Sequence, residues 1–167
     1  MVRRIRQFYK ALFARLNKSD YTFLSDYLTK TELEVFMTLP VFDRKHSVDI
    51  ARHLHHQGAQ LELVRAGLLH DIGKARCPEL TIVKRSICVL LEALFPKHAR
   101  NKATSKKGKL GRALYVHQNH PEIGAEVLEI LGCTDERIIW LVRHHADKEA
   151  AKTDDELAAF MVIDDRM

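Results

Sequence analysis

The stretch GLLHDIGKA, Gly67 to Ala75, ends an apolar run on a histidine and an aspartate, and a glycine and a lysine follow within three residues. Asp71 continues the row Val64 and Leu68 at helical spacing, and His70 stands beside it near Leu63 and Ala66. The spacing predicts a helix from about Gln60 to Ile72 that carries both side chains on its core-facing side. An imidazole and a carboxylate are costly there unless they are hydrogen-bonded, paired or bound to a cation.

The same pattern recurs at a distance. His46 shares a stripe with Ile50 and Leu54; His145 follows Ile138, Leu141 and Val142; Asp164 follows Leu157, Phe160 and Met161. One such residue is ordinarily a hydrogen-bonded core histidine or a helix cap. Taken together, the set is accounted for by metal ions held between imidazole nitrogens and carboxylate oxygens. With no thiolate among the ligands, Fe, Mn, Mg or Ni suit the site better than Zn.

The rest of the chain also reads at helical period, and no segment alternates as a strand would. Residues 2–16 form a basic amphipathic helix with Ile5, Phe8, Tyr9, Leu12, Phe13 and Leu16 on one face. One or two short helices follow over 20–39, with Thr31 and Glu34 in a capping-box arrangement, and Pro40 breaks the chain. Asp43 to Gln57 is a helix stopped by Gly58. TIVKRSICVLLEALF, Thr81 to Phe95, reads as a buried helix. The run from Lys97 to Arg112 carries seven Lys or Arg and no acid, the composition of a solvated, mobile loop. Pro121 opens a helix that ends at Gly132, Thr134 to Glu136 begins another, and the capping box TDDE at Thr153–Glu156 opens the last. The expected fold is all-α: a helical extension over 1–40, then one helical-bundle domain over 41–167.

Composition narrows the class. The chain has 167 residues, 46% of them hydrophobic and 29% charged, enough for one globular core. No apolar run is long enough for a membrane span, and the N-terminus lacks the pattern of a secretory signal. Cys77, Cys88 and Cys133 are odd in number and without a CxxC pair, which suits a reducing cytoplasm. A net charge of +5 favours anionic partners without choosing among them.

The order His46, then His70–Asp71, then an aspartate on the final helix resembles the HD superfamily of metal-dependent phosphohydrolases. HDIGK and HPEIGAEVLEIL are similar to its HDIG subset, and VRHH stands where that subset has later histidines. The resemblance runs from about Val41 to Met167. It implies a metal site of His46, His70, Asp71 and Asp164, with Asp71 bridging two divalent ions. It also implies that His120, His144 and His145 serve the second ion and that Lys74 contacts substrate phosphate. His120, just before Pro121, would project from a helix N-terminus. Asp164 is preferred over Asp165 for the last ligand. His53 lies near the His46 stripe, while His55, His56, His98 and His117 match nothing in the pattern.

Two departures refine this. HHADKEAAKTDDEL lacks the glycine- and tyrosine-containing signature of the branch that hydrolyses cyclic di-GMP. Phe42 replaces a carboxylate used for a third metal, which favours a dinuclear site. The implied reaction is attack of a metal-activated hydroxide on phosphorus, with Asp71 and Lys74 as catalytic residues. Lys74, Arg52, Arg143 and the lysines from Lys102 to Lys109 are candidate phosphate contacts. The substrate would be a small phosphorylated metabolite, a nucleotide foremost, rather than nucleic acid; a homo-oligomer stays open. Two other readings share these residues: an HD-fold di-iron oxygenase, and a ligand-sensing module without catalysis.

Overall fold

The computed structural model describes residues 14–77 and 81–167, and among these every regular element is helical. In chain order they are α1 (Lys18–Tyr27), α2 (Lys30–Phe36), α3 (Val41–His56), α4 (Leu61–Leu69), a 3-10 turn (Ile72–Arg76), α5 (Ile82–Leu94), α6 (Pro96–Ser105), α7 (Gly108–Ile130), α8 (Glu136–His144), a second 3-10 turn (Ala150–Lys152) and α9 (Asp155–Arg166). The all-α expectation holds. No described helix is long and apolar enough to cross a membrane. The helix expected over 2–16 lies outside the described residues except for Ala14–Leu16, which are not helical.

α3 and α4 form the central pair, α8 packs on α4, and α9 closes over α3 and α4. Val48, Ile50, Ala51 and Leu54 of α3 meet Leu63, Val64, Ala66 and Leu68 of α4 in the main core, joined by Ile138, Leu141 and Val142 of α8. Phe23, Leu24, Leu28, Phe36 and Leu39, from the segment expected as an extension, belong to this same core. On α9, Leu157 and Phe160 are fully buried and Ile163 nearly so. At roughly 1.5–3 kcal/mol per buried side chain, they hold the last helix, and Asp164 with it, against fraying.

Several boundaries differ from the sequence reading. The capping box of α2 uses Thr29 and Glu32 rather than Thr31 and Glu34. The sequence offers both registers, and Arg65, 2.8 Å from Glu32, selects the one that buries Glu32. The last helix is capped by Asp154, which accepts from the Leu157 N–H, instead of by Thr153; Asp154 also takes Arg137 at 2.7 Å. α4 ends at Leu69 instead of continuing to Ile72, because the His70 ring takes the Gly67 carbonyl at 2.9 Å.

The largest correction is the basic run, which is helical. Ala99, Ala103, Ala113, Leu114 and Val116 of α6 and α7 bury against Cys77 and Cys88 in a second, smaller core. α5, expected as a buried helix, buries Cys88 while Val83, Leu90 and Leu94 lie more than half exposed. Its sequence is apolar, but α6 and α7 cover only one face. Burial pushes the Cys88 thiol up to about 11, so it is a packing residue rather than a nucleophile. Pro121 does not start a helix; it lies inside α7.

α7 and the first 3-10 turn touch backbone to backbone. A Cβ on Gly73 would lie 2.1 Å from the His120 carbonyl oxygen and 2.7 Å from the Gly124 nitrogen. At Gly124 a Cβ would press on Val142 Cγ1 at 3.1 Å and stand in ordinary contact, 3.4 Å, with the Gly73 nitrogen. Gly73 therefore sets how closely the turn that carries Asp71 approaches His120.

Candidate metal centre

Six side chains from five segments converge. His46 comes from mid-α3, His70 and Asp71 from the end of α4, His120 from mid-α7, His145 from just past α8 and Asp164 from α9. They form two groups, His46–His70–Asp164 and Asp71–His120–His145, within each of which the ligand atoms lie inside 4.8 Å of one another. In the first group His46 Nε2 is 2.8 Å from Asp164 Oδ1, and His70 Nε2 is 3.9 Å from the same oxygen. In the second, His120 Nε2 is 3.3 Å from Asp71 Oδ1 and 3.2 Å from His145 Nε2. The groups adjoin, with His70 Nε2 3.5 Å from Asp71 Oδ2 and the His70 and His145 rings 5.1 Å apart.

The hydrogen bonds at the back of the rings determine what the front can do. His70, His120 and His145 each place Nδ1 on the backbone carbonyl three residues earlier, at 2.9, 2.8 and 2.7 Å. A carbonyl only accepts, so in each ring Nδ1 carries a proton, and in His120 and His145, which burial keeps neutral, Nε2 is left with a lone pair. His120 Nε2 and His145 Nε2 thus face each other at 3.2 Å with no proton between them. Asp71 Oδ2 is buried with no hydrogen-bond partner among the described residues. Inward lone pairs and an orphaned carboxylate oxygen leave a donor set without an acceptor, and a cation supplies it. The nitrogen and oxygen donors fit a divalent metal.

Burial holds His120 well below its ordinary value and carries His145 down to about 3; the neighbouring Lys74 and imidazoles add to this. Burial raises Asp71, but the Lys74 ammonium first, then His70, outweighs it and holds the carboxyl well below its usual range. For Asp164 burial likewise raises, and the His46 hydrogen bond turns the balance downward. Neutral imidazoles beside ionised carboxylates are the ligand states a metal requires.

A layer of charge lies behind the ligands. Lys74 is 2% exposed, with Nζ 2.5 Å from Asp71 Oδ1 and 3.8 Å from Asp43 Oδ1. Arg85 of α5 reaches Asp43 at 2.5 Å. His117 sits 3.4 Å from Glu92 and stacks on His120. Asp43, Arg85, His117 and Glu92 are absent from the sequence reading of the site. Asp43 was available to it, since it precedes His46 by three residues on the same helix face. Arg85 and Glu92 were not, because no local pattern ties α5 to α3 or α7.

Three predicted residues point elsewhere. His144 packs on Trp140 and pairs with Asp147 at 3.4 Å, away from both groups. Arg52 holds Ser19 and Asp20 and covers Phe23; Arg143 pairs with Glu122 and Glu129. Asp165, next to Asp164, is exposed. His53, His56 and His98 are exposed as well, and His55 bonds Tyr27 at 2.8 Å.

The neutral buried histidines predict a pH dependence with a definite sign. Burial also lowers His117 to about 3. The unfolded chain protonates these rings near their ordinary 6.5, whereas the folded protein holds His145 and His117 neutral to about 3. Between those values the unfolded state binds more protons, so stability falls as the pH falls, by up to about 1.4 kcal/mol per pH unit for each ring. Urea midpoints of the metal-free protein should drop steadily from pH 6.5 to 4.5, and His145→Gln should flatten the slope. A midpoint constant across that window contradicts buried, neutral imidazoles.

The HD domain family model matches residues 44–166, a span that contains both groups and Lys74. No curated protein and no solved structure matches the chain.

Proposed function

We propose that this chain, which belongs to the HD domain family, is a phosphohydrolase that uses two divalent cations to cleave a phosphate ester or anhydride of a small metabolite, a nucleotide foremost. The family is made up mostly of metal-dependent phosphohydrolases. The observation that carries the reading is the pair of adjoining groups, His46–His70–Asp164 and Asp71–His120–His145, with Asp71 between them. Each group would hold one ion, with Fe, Mn, Mg and Ni ahead of Zn on ligand type. Such ions supply Lewis acidity and lower the pKa of water.

The chain's own residues then have definite tasks. The carbonyl-bound Nδ1–H groups of His70, His120 and His145 fix the rings with Nε2 turned inward. Lys74 keeps Asp71 ionised and offers Nζ to a phosphoryl oxygen. Asp43 holds Lys74 from behind and is itself neutralised by Arg85, which is 31% exposed and lies where an anion bound at the centre would meet it. A separate cavity of about 470 Å3 between the first 3-10 turn and α7 is lined by Arg76, Lys106, Arg112, Tyr115 and Glu126 and by none of the six ligands.

The test is a screen of purified protein in Mn²⁺ or Fe²⁺, under argon, against nucleotides and bis(p-nitrophenyl) phosphate, with metal content measured on the same sample. Two ions per chain and turnover of at least one phosphate compound are expected. Two bound ions with no phosphate release from any substrate would end the hydrolase reading, and oxygen uptake by an iron-loaded sample would redirect it to oxygenase chemistry.

A further inference from the structure

Three of the six converging side chains share one device, and the third instance requires a residue that the other two do not. In an α-helix the carbonyl of residue i−3 accepts from the N–H of residue i+1. A histidine at i can claim that carbonyl for its ring without competition only where the i+1 N–H is absent from it. His70 and His145 meet this condition by standing where a helix stops. α4 ends at Leu69 and α8 at His144, and among the described backbone hydrogen bonds none joins Asp71 N–H to the Gly67 carbonyl or Ala146 N–H to the Val142 carbonyl.

His120 has no helix end to use. α7 continues past it to Ile130. The residue after it is Pro121, which has no N–H to give. The His117 carbonyl, which any other residue at 121 would occupy, accepts from His120 Nδ1 at 2.8 Å instead. Proline is the least favourable residue in a helix interior, and α7 carries it at the one place where the missing donor orients a ring of the centre.

We propose that Pro121 is a positioning residue: by withholding an N–H it reserves the His117 carbonyl for His120 and sets the tautomer that leaves Nε2 unprotonated toward Asp71 and His145. This rests on the reading of Asp71–His120–His145 as a metal group. It also assigns a chemical reason to the His-Pro pair of the quoted HPEIG motif. A proline that served only to bend α7 would leave the tautomer of His120 unchanged on replacement.

The experiment uses the full chain with Pro121→Ala, and Pro121→Gly as a second variant that restores the same donor without a Cβ. In the metal-free, ¹⁵N-labelled protein, long-range ¹H–¹⁵N correlations report which nitrogen of His120 carries the proton. Wild type should show Nδ1–H alone; both variants should show a mixture with Nε2–H, since the restored backbone donor competes for the carbonyl. Thermal unfolding of the alanine variant should occur at or above the wild-type temperature, because a helix-interior proline has been removed. Titration with Mn²⁺ alone should then show one site unchanged and the other weakened about 10–100-fold, the usual loss when a ligand's orienting partner is removed. Unchanged tautomer and unchanged Mn²⁺ binding in folded variants overturn the proposal. A tautomer shift in a protein whose wild type binds fewer than two Mn²⁺ supports the positioning role and removes the two-ion reading instead.

Discussion

Asp71→Asn should leave a folded protein with fewer than one metal per chain and at least a thousandfold lower turnover. Asp71 offers one oxygen toward each group, Oδ1 at 3.3 Å from His120 Nε2 and Oδ2 at 3.5 Å from His70 Nε2. An amide of the same shape removes the charge and puts an NH₂ among nitrogen lone pairs or against the Lys74 ammonium. A metal contributes several kcal/mol of transition-state stabilisation, and about 1.4 kcal/mol is tenfold in rate, so the loss of even one ion accounts for the expected factor. The uncharged partner also leaves Lys74 buried with only Asp43, at 3.8 Å. Disrupting a buried pair costs roughly 3–5 kcal/mol when one member is removed outright, and less here because the asparagine oxygen still accepts from Lys74. Elemental analysis, a urea titration and the phosphate-release assay on one preparation check all three quantities. Retention of two ions and of wild-type turnover would show that Asp71 does not link the groups.

Gly73→Ala should cost about a hundredfold in activity and destabilise the protein, although residue 73 offers no side chain to any ligand. The added Cβ would meet the His120 carbonyl oxygen at 2.1 Å and the Gly124 nitrogen at 2.7 Å, both backbone atoms that cannot rotate away. To reach ordinary contact, the 3-10 turn and α7 must separate by on the order of 1 Å, a misplacement that can lower a rate about 100-fold. Overpacking of this kind typically costs about 1–3 kcal/mol, and rigid backbone on both sides places the value at the upper end. The damage is directional. Asp71 and His120 are carried apart, while His46, His70 and Asp164, on other elements, keep their spacing. Mn²⁺ titration should therefore find the Asp71–His120–His145 site weakened and its neighbour intact. Equal weakening of both sites would mean that the turn does not set their geometry separately.

Much of this was legible before any coordinates. His46, His70, Asp71, His145 and Asp164 each stand on an apolar stripe, and a polar residue on such a stripe is a local, periodic signal. The glycines of HDIGK and HPEIG could be quoted but not interpreted, because close approach of two backbones has no signature within either segment. His144 and His145 show the same limit. Adjacent residues on a helix differ by about a quarter-turn or more, and only the packing of α8 on α4 and α7 decides that His145 faces inward and His144 meets Trp140 and Asp147. The basic run misled for a related reason. Its charges dominate the composition, while the small residues that form its buried face, Ala99, Ala103 and Ala113, count as a face only once Cys77 and Cys88 lie against them.

Helical periodicity, the lack of strand alternation and the recurrence of His and Asp on core-facing stripes were settled by residue order alone, since each depends on neighbours within two turns. The division of the ligands into two groups, the burial of Lys74 between Asp71 and Asp43, the arrival of Arg85 and the tight meeting of Gly73 with α7 were decided by tertiary structure. Those relations join residues tens of positions apart, and their geometry exists only after the apolar faces of separate helices have found one another.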